Sequence, residues 1–366
     1  MNDLKFGFIG LGLIGGSIAK ALKHTRRNCQ IIAYDTDSDS LTTSKEEGIC
    51  DEIYDFVSSD FFSCDYIFLC TPVCCNNDYL SILKDVINKN CILTDVGSVK
   101  NSIHKTIHDY HMEAHFIGGH PMAGSEQSGF QSSDARILEN AYYILTPCKE
   151  VPQNKIDEFY QLVKSIGALP LILDEKTHDY VTAGISHLPH LIAFSLVNLI
   201  KDKDNSDGIM KMIAAGGFKD ITRIASSSPI MWQQILELNK DDIILFMDAF
   251  IEEFSLLRQK IAESDLSYLY EFIYHAREYR DSFDMVASGP ISCSYSVSIS
   301  IPDETGMIAE ISTLFANASI NIKNIGIVHN RELDDGALRI EFYNKNALDN
   351  AIQLLKDNHY PIYTHN

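Results

Sequence analysis

Cations are scarce in this chain. Lys and Arg number 30 against 50 Asp and Glu, which gives a formal net charge of −20 and a pI near 4.9. Proteins that bind polyanions gather cations, so nucleic acid and anionic membrane surfaces are excluded as general partners. An anionic substrate would need a few local cations acting against a repulsive global field. Long apolar runs are missing too. None approaches the ~18 residues of a membrane span, and a strand pattern that begins at Lys5 leaves no room for a signal peptide. The nine cysteines follow neither a disulfide framework nor zinc-like spacing. Cys70, Cys74 and Cys75 cluster, but no Cys/His set completes them. They read as thiols of the reducing cytosol, and no metal is expected. Repeats and low-complexity tracts are absent as well.

What is present has an order. KFGFIGLG, QIIAYD, DYIFLCTP, CILTDVGS, HFIGGHP and AYYILTP read as buried strands with helix-like segments between most of them. That alternation implies a mostly parallel sheet with helices on both faces, and LPLILD (169–174) is its last strand. From Lys176 to about Arg280 apolar residues recur at helical spacing. In the stretch 231–265, Ile235, Leu238, Ile243, Phe246, Phe250, Phe254 and Leu257 define one long helix with a wide apolar face. Such a face suits burial against a second copy, so a homodimer is expected. DSFDMVASGP (281–290) reads as a linker. The remainder alternates in the order βαββαβ, a compact α+β module. The expected domains are 1–174, 175–285 and 291–366.

GFIGLGLIGGS sets Gly10, Gly12 and Gly15 in a G-x-G-x-x-G arrangement directly after a strand. The glycines permit a tight turn and close approach of a pyrophosphate, and the following helix N-terminus supplies N–H donors. Asp35, at the end of QIIAYD, is placed for the ribose hydroxyls of NAD and would repel the extra phosphate of NADP. Leu13, Ile14, Thr71, Pro72 and Ser98 complete the candidate cofactor contacts. Ser98, in LTDVGSVK, suits a helix N-cap and also stands where it could face a nicotinamide; the two roles are compatible.

GGHPMAGSEQSG (118–129) reads as a loop that holds one imidazole still, because Pro121 restricts its own backbone and that of His120. A neutral His120 at the carboxyl edge of the sheet could take a proton from an alcohol while hydride leaves the same carbon. His187 and His190 share a helix face near Pro189 and read as a polar pocket wall or as hydrogen-bonded helix histidines. In GGFKDITRIASSSPIMW, a mobile glycine pair precedes Lys219 and Arg223, which share a helix face with Asp220 between them. The group is either a solvated ion pair or the clamp for an anionic substrate, since Arg grips carboxylates with two parallel hydrogen bonds.

Taken together these motifs resemble the prephenate and arogenate dehydrogenases of tyrosine biosynthesis. The resemblance rests on the glycine-rich start, DVGSVK, GGHPMAGSEQSG, SHLPHL and FKDITRIASSSPIMW in that order, of which HPMAGSE and TRIASSSPIMW are specific. It implies a doubly wound Rossmann-type domain, an all-helical dimerisation domain and a C-terminal ACT-like regulatory domain. It implies that NAD takes hydride from prephenate as the ring decarboxylates to 4-hydroxyphenylpyruvate. His120 then matches the proton acceptor for the ring hydroxyl, Ser98 the serine that orients it, and Arg223 the arginine on the ring carboxylate. Lys219, Asp220, Glu126, His187, His190 and Trp232 match pocket or gating positions. The ACT-like tail implies L-tyrosine as a regulator, with Asp303, Gly306 and Asn324 near the ligand edge. One departure is Pro302-Asp303-Glu304-Thr305-Gly306, where such modules often place proline before the glycine, and a tail that only assists assembly stays open. Arogenate is the rival substrate. A different hydroxyacid dehydrogenase and a non-catalytic sensor of NAD and amino acids are the more distant readings.

Overall fold

The computed structural model describes residues 4–124, 127–286, 295–302, 304–328 and 336–363. The chain divides into two compact units, Met1–Ser255 and Leu256–Asn366.

The first unit opens with β1 (Lys5–Ile9), α1 (Leu13–Thr25), β2 (Gln30–Tyr34), α2 (Ser38–Glu46), β3 (Glu52–Tyr54), β4 (Tyr66–Leu69), α3 (Asn76–Leu83), β5 (Ile92–Asp95) and α4 (Asn101–Asp109). The five strands form a parallel sheet in the order β3-β2-β1-β4-β5, the doubly wound arrangement expected. Short β3 escaped the sequence reading, because three half-exposed residues carry no pattern. Central β1 is apolar on both faces, as a parallel strand covered by helices must be. Phe6 and Phe8 pack into one core with α1, and Phe8 stacks on Phe68 at 4.9 Å between ring centroids. Ile9 joins the opposite core with Ile67, Leu69, Leu80 and Ile103.

The sheet continues through β6 (Ile117–Pro121), β7 (Tyr142–Pro147), α5 (Gln153–Ser165) and β8 (Leu169–Ile172). An isolated parallel bridge, Leu93 to Phe116, sets β6 beside β5. β6 and β7 are antiparallel and β7 and β8 parallel. The expected loop around His120 is therefore wrong in its first half. His120 and Pro121 end a strand, opposite Ile144 and Tyr143. Proline is tolerated at this position because Pro121 faces Tyr143 in a non-hydrogen-bonded pair, and the next ladder bond runs from Met122 N–H to the Tyr142 carbonyl.

Helices follow: α6 (Glu175–Thr182), α7 (Leu188–Lys203), α8 (Ile209–Ile213), α9 (Gly216–Thr222), α10 (Pro229–Leu238) and α11 (Lys240–Ala262). A π-helical turn, Ala183–His187, joins α6 to α7 without a break. The shift in this helix thus lies in the π turn, and Pro189 follows it in the first turn of α7. The run Glu175–Lys203 is the one described helix long and apolar enough to cross a membrane. It also carries the buried polar residues His178, Asp179 and His187, which hydrogen-bond to other parts of this unit. The single long helix expected over 231–265 is two helices, broken at Asn239. The glycine pair, Gly216 and Gly217, forms the first turn of α9.

In the second unit α12 (Leu266–Val286) extends through half of the expected linker; residues 287–290 lie outside the described residues. Then come β9 (Tyr295–Ile301), α13 (Met307–Asn317), β10 (Ile322–Val328), β11 (Gly336–Phe342), α14 (Lys345–Asp357) and β12 (Ile362–Tyr363). This is the βαββαβ order read from the sequence. The antiparallel sheet runs β10-β11-β9-β12, with its own core around Ile299, Phe315, Ile340 and Leu355.

The loop between β5 and α4 is fixed from inside the first unit. Lys100 is fully buried, with its Nζ 2.5 Å from Asp95 Oδ2 and 2.7 Å from the Gly119 carbonyl. Asp95 also accepts from the N–H groups of Gly97 and Gly119. Removing one partner of a buried ion pair leaves an uncompensated charge, a loss of about 3–5 kcal/mol. Lys100→Met is therefore expected to lower the free energy of urea unfolding by that order, with a lower midpoint, and adding Asp95→Asn should recover part of it. An unchanged midpoint for the single variant would contradict this account.

Candidate active site

The glycine motif of the first unit builds a cradle. Gly10 has φ +99°, and a Cβ there would stand 2.7 Å from the Cys70 backbone. A Cβ on Gly15 would lie 2.5 Å from the Gly10 carbonyl oxygen. Gly12 differs, because a Cβ there meets nothing within 4 Å. It caps α1 with no side-chain hydrogen bond, and Leu13 and Ile14 begin the helix. Gly12 thus leads without obstruction into the helix N-terminus, the arrangement that receives a pyrophosphate. Asp35 follows β2 and accepts from the backbone N–H of Leu11 and of Asp37. Thr71 and Pro72 follow β4, and the Thr71 hydroxyl donates to Asn76 Oδ1 at 2.7 Å. The Tyr143 hydroxyl is buried with no partner among the described residues. Burial, with Cys70 and Asp95 nearby, holds this phenol well above its ordinary pKa. An orphaned buried donor beside a glycine cradle fits a polar ligand such as a dinucleotide.

Ser98 is not an N-cap. Lys100 holds that position, and its side chain makes no cap bond. The donors at the start of α4 go instead to Asp179, whose Oδ1 accepts from Lys100 N at 2.7 Å and Oδ2 from Asn101 N at 2.8 Å. A carboxylate from α6 caps this helix, and Ser98 lies in the preceding bend.

His120 Nδ1 is 2.8 Å from His178 Nε2, and His178 Nδ1 is 2.7 Å from Asp179 Oδ1. Burial pushes the His120 pKa well below its ordinary value, and the charges of His178, Lys100 and His187 add to the effect. Burial also lowers His178, against the opposing pull of Asp179. His187 is pushed down to about 4, chiefly by burial. At neutral pH this end of the site is uncharged imidazole.

Beyond it His187 meets Trp232 edge to face at 5.9 Å, and His190 lies over Trp232 at 4.1 Å between centroids. His190 Nδ1 bonds the Ser186 carbonyl. Trp232 is buried, and its Nε1–H lacks a partner among the described residues. Arg223 opens a 3-10 turn (Arg223–Ser226) just after α9 and is exposed, as are Lys219 and Asp220 on α9. After burial, the field of Arg223 is what lowers the His190 pKa, so guanidinium, His190 and Trp232 share one neighbourhood. Glu126 and Asp303 lie outside the described residues. Gly306 (φ +101°) caps α13 and Asn324 sits on β10, both in the second unit.

Sequence reasoning missed His178, Asp179, Lys100, Asp95 and Asn239. Asn239 Nδ2 donates to the Asp179 carbonyl at 2.8 Å and lies 3.2 Å from His187 Nδ1. The available signal was a His-Asp pair inside an apolar helix pattern, since buried ionisable groups are rare unless paired.

Residues 18–171 match the family model described as prephenate dehydrogenase, nucleotide-binding domain. Residues 174–275 match prephenate dehydrogenase, dimerization domain. The curated prephenate dehydrogenase of Bacillus subtilis is 35% identical over 367 residues, covering 97% of each chain. The crystal structure of Aquifex aeolicus prephenate dehydrogenase with hydroxyphenyl propionate and NAD+ has a TM-score of 0.73 at 29% identity, covering 77% of this chain and 99% of its own. Synechocystis arogenate dehydrogenase gives 0.68 at 26% identity, covering 76% and 100%. With a glycine cradle and a cluster of buried histidines in the first unit, and both domains matched in order, the chain belongs to the prephenate dehydrogenase family.

Proposed function

We propose that this protein is an NAD-dependent prephenate dehydrogenase that converts prephenate to 4-hydroxyphenylpyruvate and CO2. The observation that carries the reading is the uncharged, hydrogen-bonded His120 at the carboxyl edge of a dinucleotide-binding sheet. NAD, when bound, supplies the acceptor for the hydride that leaves the hydroxyl-bearing carbon. The residues of the chain bind, orient and move one proton. His120 takes up the hydroxyl proton as the ring gains dienone character, which a neutral imidazole can do and an imidazolium cannot. Loss of CO2 from the opposite carbon then makes the ring aromatic, and the proton returns to the phenolic oxygen. Ser98 orients the hydroxyl. Arg223 grips the ring carboxylate, with Lys219, Asp220, Glu126, His187, His190 and Trp232 shaping the rest of the pocket. Gly10, Gly12, Leu13, Ile14, Gly15, Asp35, Thr71 and Pro72 hold the dinucleotide, and Asp35 favours NAD over NADP.

The domain reading is 1–174 for the cofactor, 175–285 for substrate and dimerisation, and 291–366 for an ACT-like module. Exposed Ile244, Leu245, Ile251 and Phe254 on α11 support a homodimer. The βαββαβ tail supports regulation by L-tyrosine through Asp303, Gly306 and Asn324. The cysteines whose side chains are described are free thiols, which fits the reducing cytosol.

NADH formation should be seen on prephenate and exceed that on arogenate; the reverse order would make this an arogenate dehydrogenase. L-Tyrosine should inhibit the full chain, and a chain lacking residues 291–366 should lose that inhibition. His120→Asn should lower kcat by about 10²-fold, whereas Arg223→Ala should chiefly raise KM.

Because the His120 pKa is depressed, kcat/KM should stay level as pH falls through 6.5 and decline only well below it. Stability responds separately. His187 is protonated near 6.5 in the unfolded chain but only at about 4 when folded. Its contribution is complete above 6.5 and lost as pH falls to about 4, up to about 3 kcal/mol. Urea midpoints should drop across that window, and a flat profile would mean that His187 is solvated.

A further inference from the structure

We propose that His178 and Asp179 form a tautomer lock on His120, a positioning pair that presents its Nε2 as the bare nitrogen facing the substrate. The proposal deepens the assignment of His120 as proton acceptor and rests on that reading.

Asp179 is the acidic end of this relay. Asp179 accepts hydrogen bonds through both oxygens, from the backbone N–H groups of Lys100 and Asn101. Its Oδ1 lies 2.7 Å from His178 Nδ1, and a carboxylate can only accept there, so His178 carries its proton on Nδ1. In neutral His178 that leaves Nε2 as an acceptor. His120 Nδ1 stands 2.8 Å from that nitrogen and must be the donor. His120, itself neutral, then has a lone pair on Nε2. Each step follows from hydrogen-bond complementarity, and the opposite tautomer of His120 would set two lone pairs against each other inside a buried site.

The lock is not an exit route for the proton. The hydroxyl hydrogen of prephenate ends on the phenol of the product, so the base must lend its charge state and recover it. When His120 becomes imidazolium, its Nδ1–H still donates to His178, and the Asp179 carboxylate beyond offsets part of the new charge. The groups that face His120 are His178, His187 and Lys100. Lys100 is already matched by Asp95, which leaves Asp179 as the anion available to this chain.

Two variants and one direct observation test the proposal. Neither replacement removes the carboxylate, so the cap on α4 is retained. In His178→Leu the Nδ1–H of His120 has no acceptor, and kcat should fall by about 10²-fold with KM for prephenate and for NAD little changed. In His178→Gln the amide oxygen occupies the place of Nε2 and accepts from His120, so a large part of kcat should return. Equal loss in both variants, or a full kcat in His178→Leu, would overturn the lock. Should the leucine variant not fold, nitrogen-15 spectra of the unsubstituted, histidine-labelled protein decide alone. His120 should show a protonated Nδ1 and a bare Nε2, and the reverse pattern would sink the proposal. The spectra need no turnover. A protein with this tautomer but no activity on prephenate would fault the assigned reaction and leave the lock standing.

Discussion

One buried carboxylate organises the site. Asp179 lies on α6, yet its oxygens close the first turn of α4, seventy-nine and seventy-eight residues earlier in the chain. An ionised carboxylate out of contact with water is costly. Here it is met by two backbone donors at a helix N-terminus, where the helix dipole also favours negative charge, and by the ring of His178. The same residue's carbonyl takes the amide of Asn239, which stands at the break between α10 and α11. Three elements therefore converge on Asp179, and the position of His120 follows from their meeting.

A second anion, Asp95, acts on the same loop from its other end. It closes on Gly97 and Gly119 and on the buried ammonium of Lys100. The backbone of Lys100 belongs to one carboxylate and its side chain to the other. Ser98 lies between these anchors in a bend. Its hydroxyl has no cap to serve, which is why the helix-capping role expected for it falls to Asp179.

The sheet, the helical middle and the βαββαβ tail were legible because each rests on a periodicity that survives in a single sequence. The glycine cradle was legible because a turn at φ +99° with a backbone 2.7 Å away admits little else. The partners of His120 were not. His178 and Asp179 reach it over 58 residues, and no local pattern records a contact of that span. DVGSVK held both Asp95 and Lys100 in plain view, but nothing in a strand-to-helix loop announces that its lysine is buried. Pro121 misled in the other direction, because a proline at a non-hydrogen-bonded place in a ladder looks the same in sequence as one that forbids a strand.

The distribution of charge follows from the chemistry of the site. Under the proposed function the proton acceptor must be neutral, and burial has lowered the pKa values of His120, His178 and His187. An unmatched cation beside these histidines would lower those values further and oppose an imidazolium; Lys100, which acts on His120, is paired with Asp95. The guanidinium of Arg223 is exposed and acts on His190 instead, where the proposed clamp on a carboxylate would be screened by water. In the proposed reaction a protein of net charge −20 would thus meet its substrate's carboxylate with a local cation.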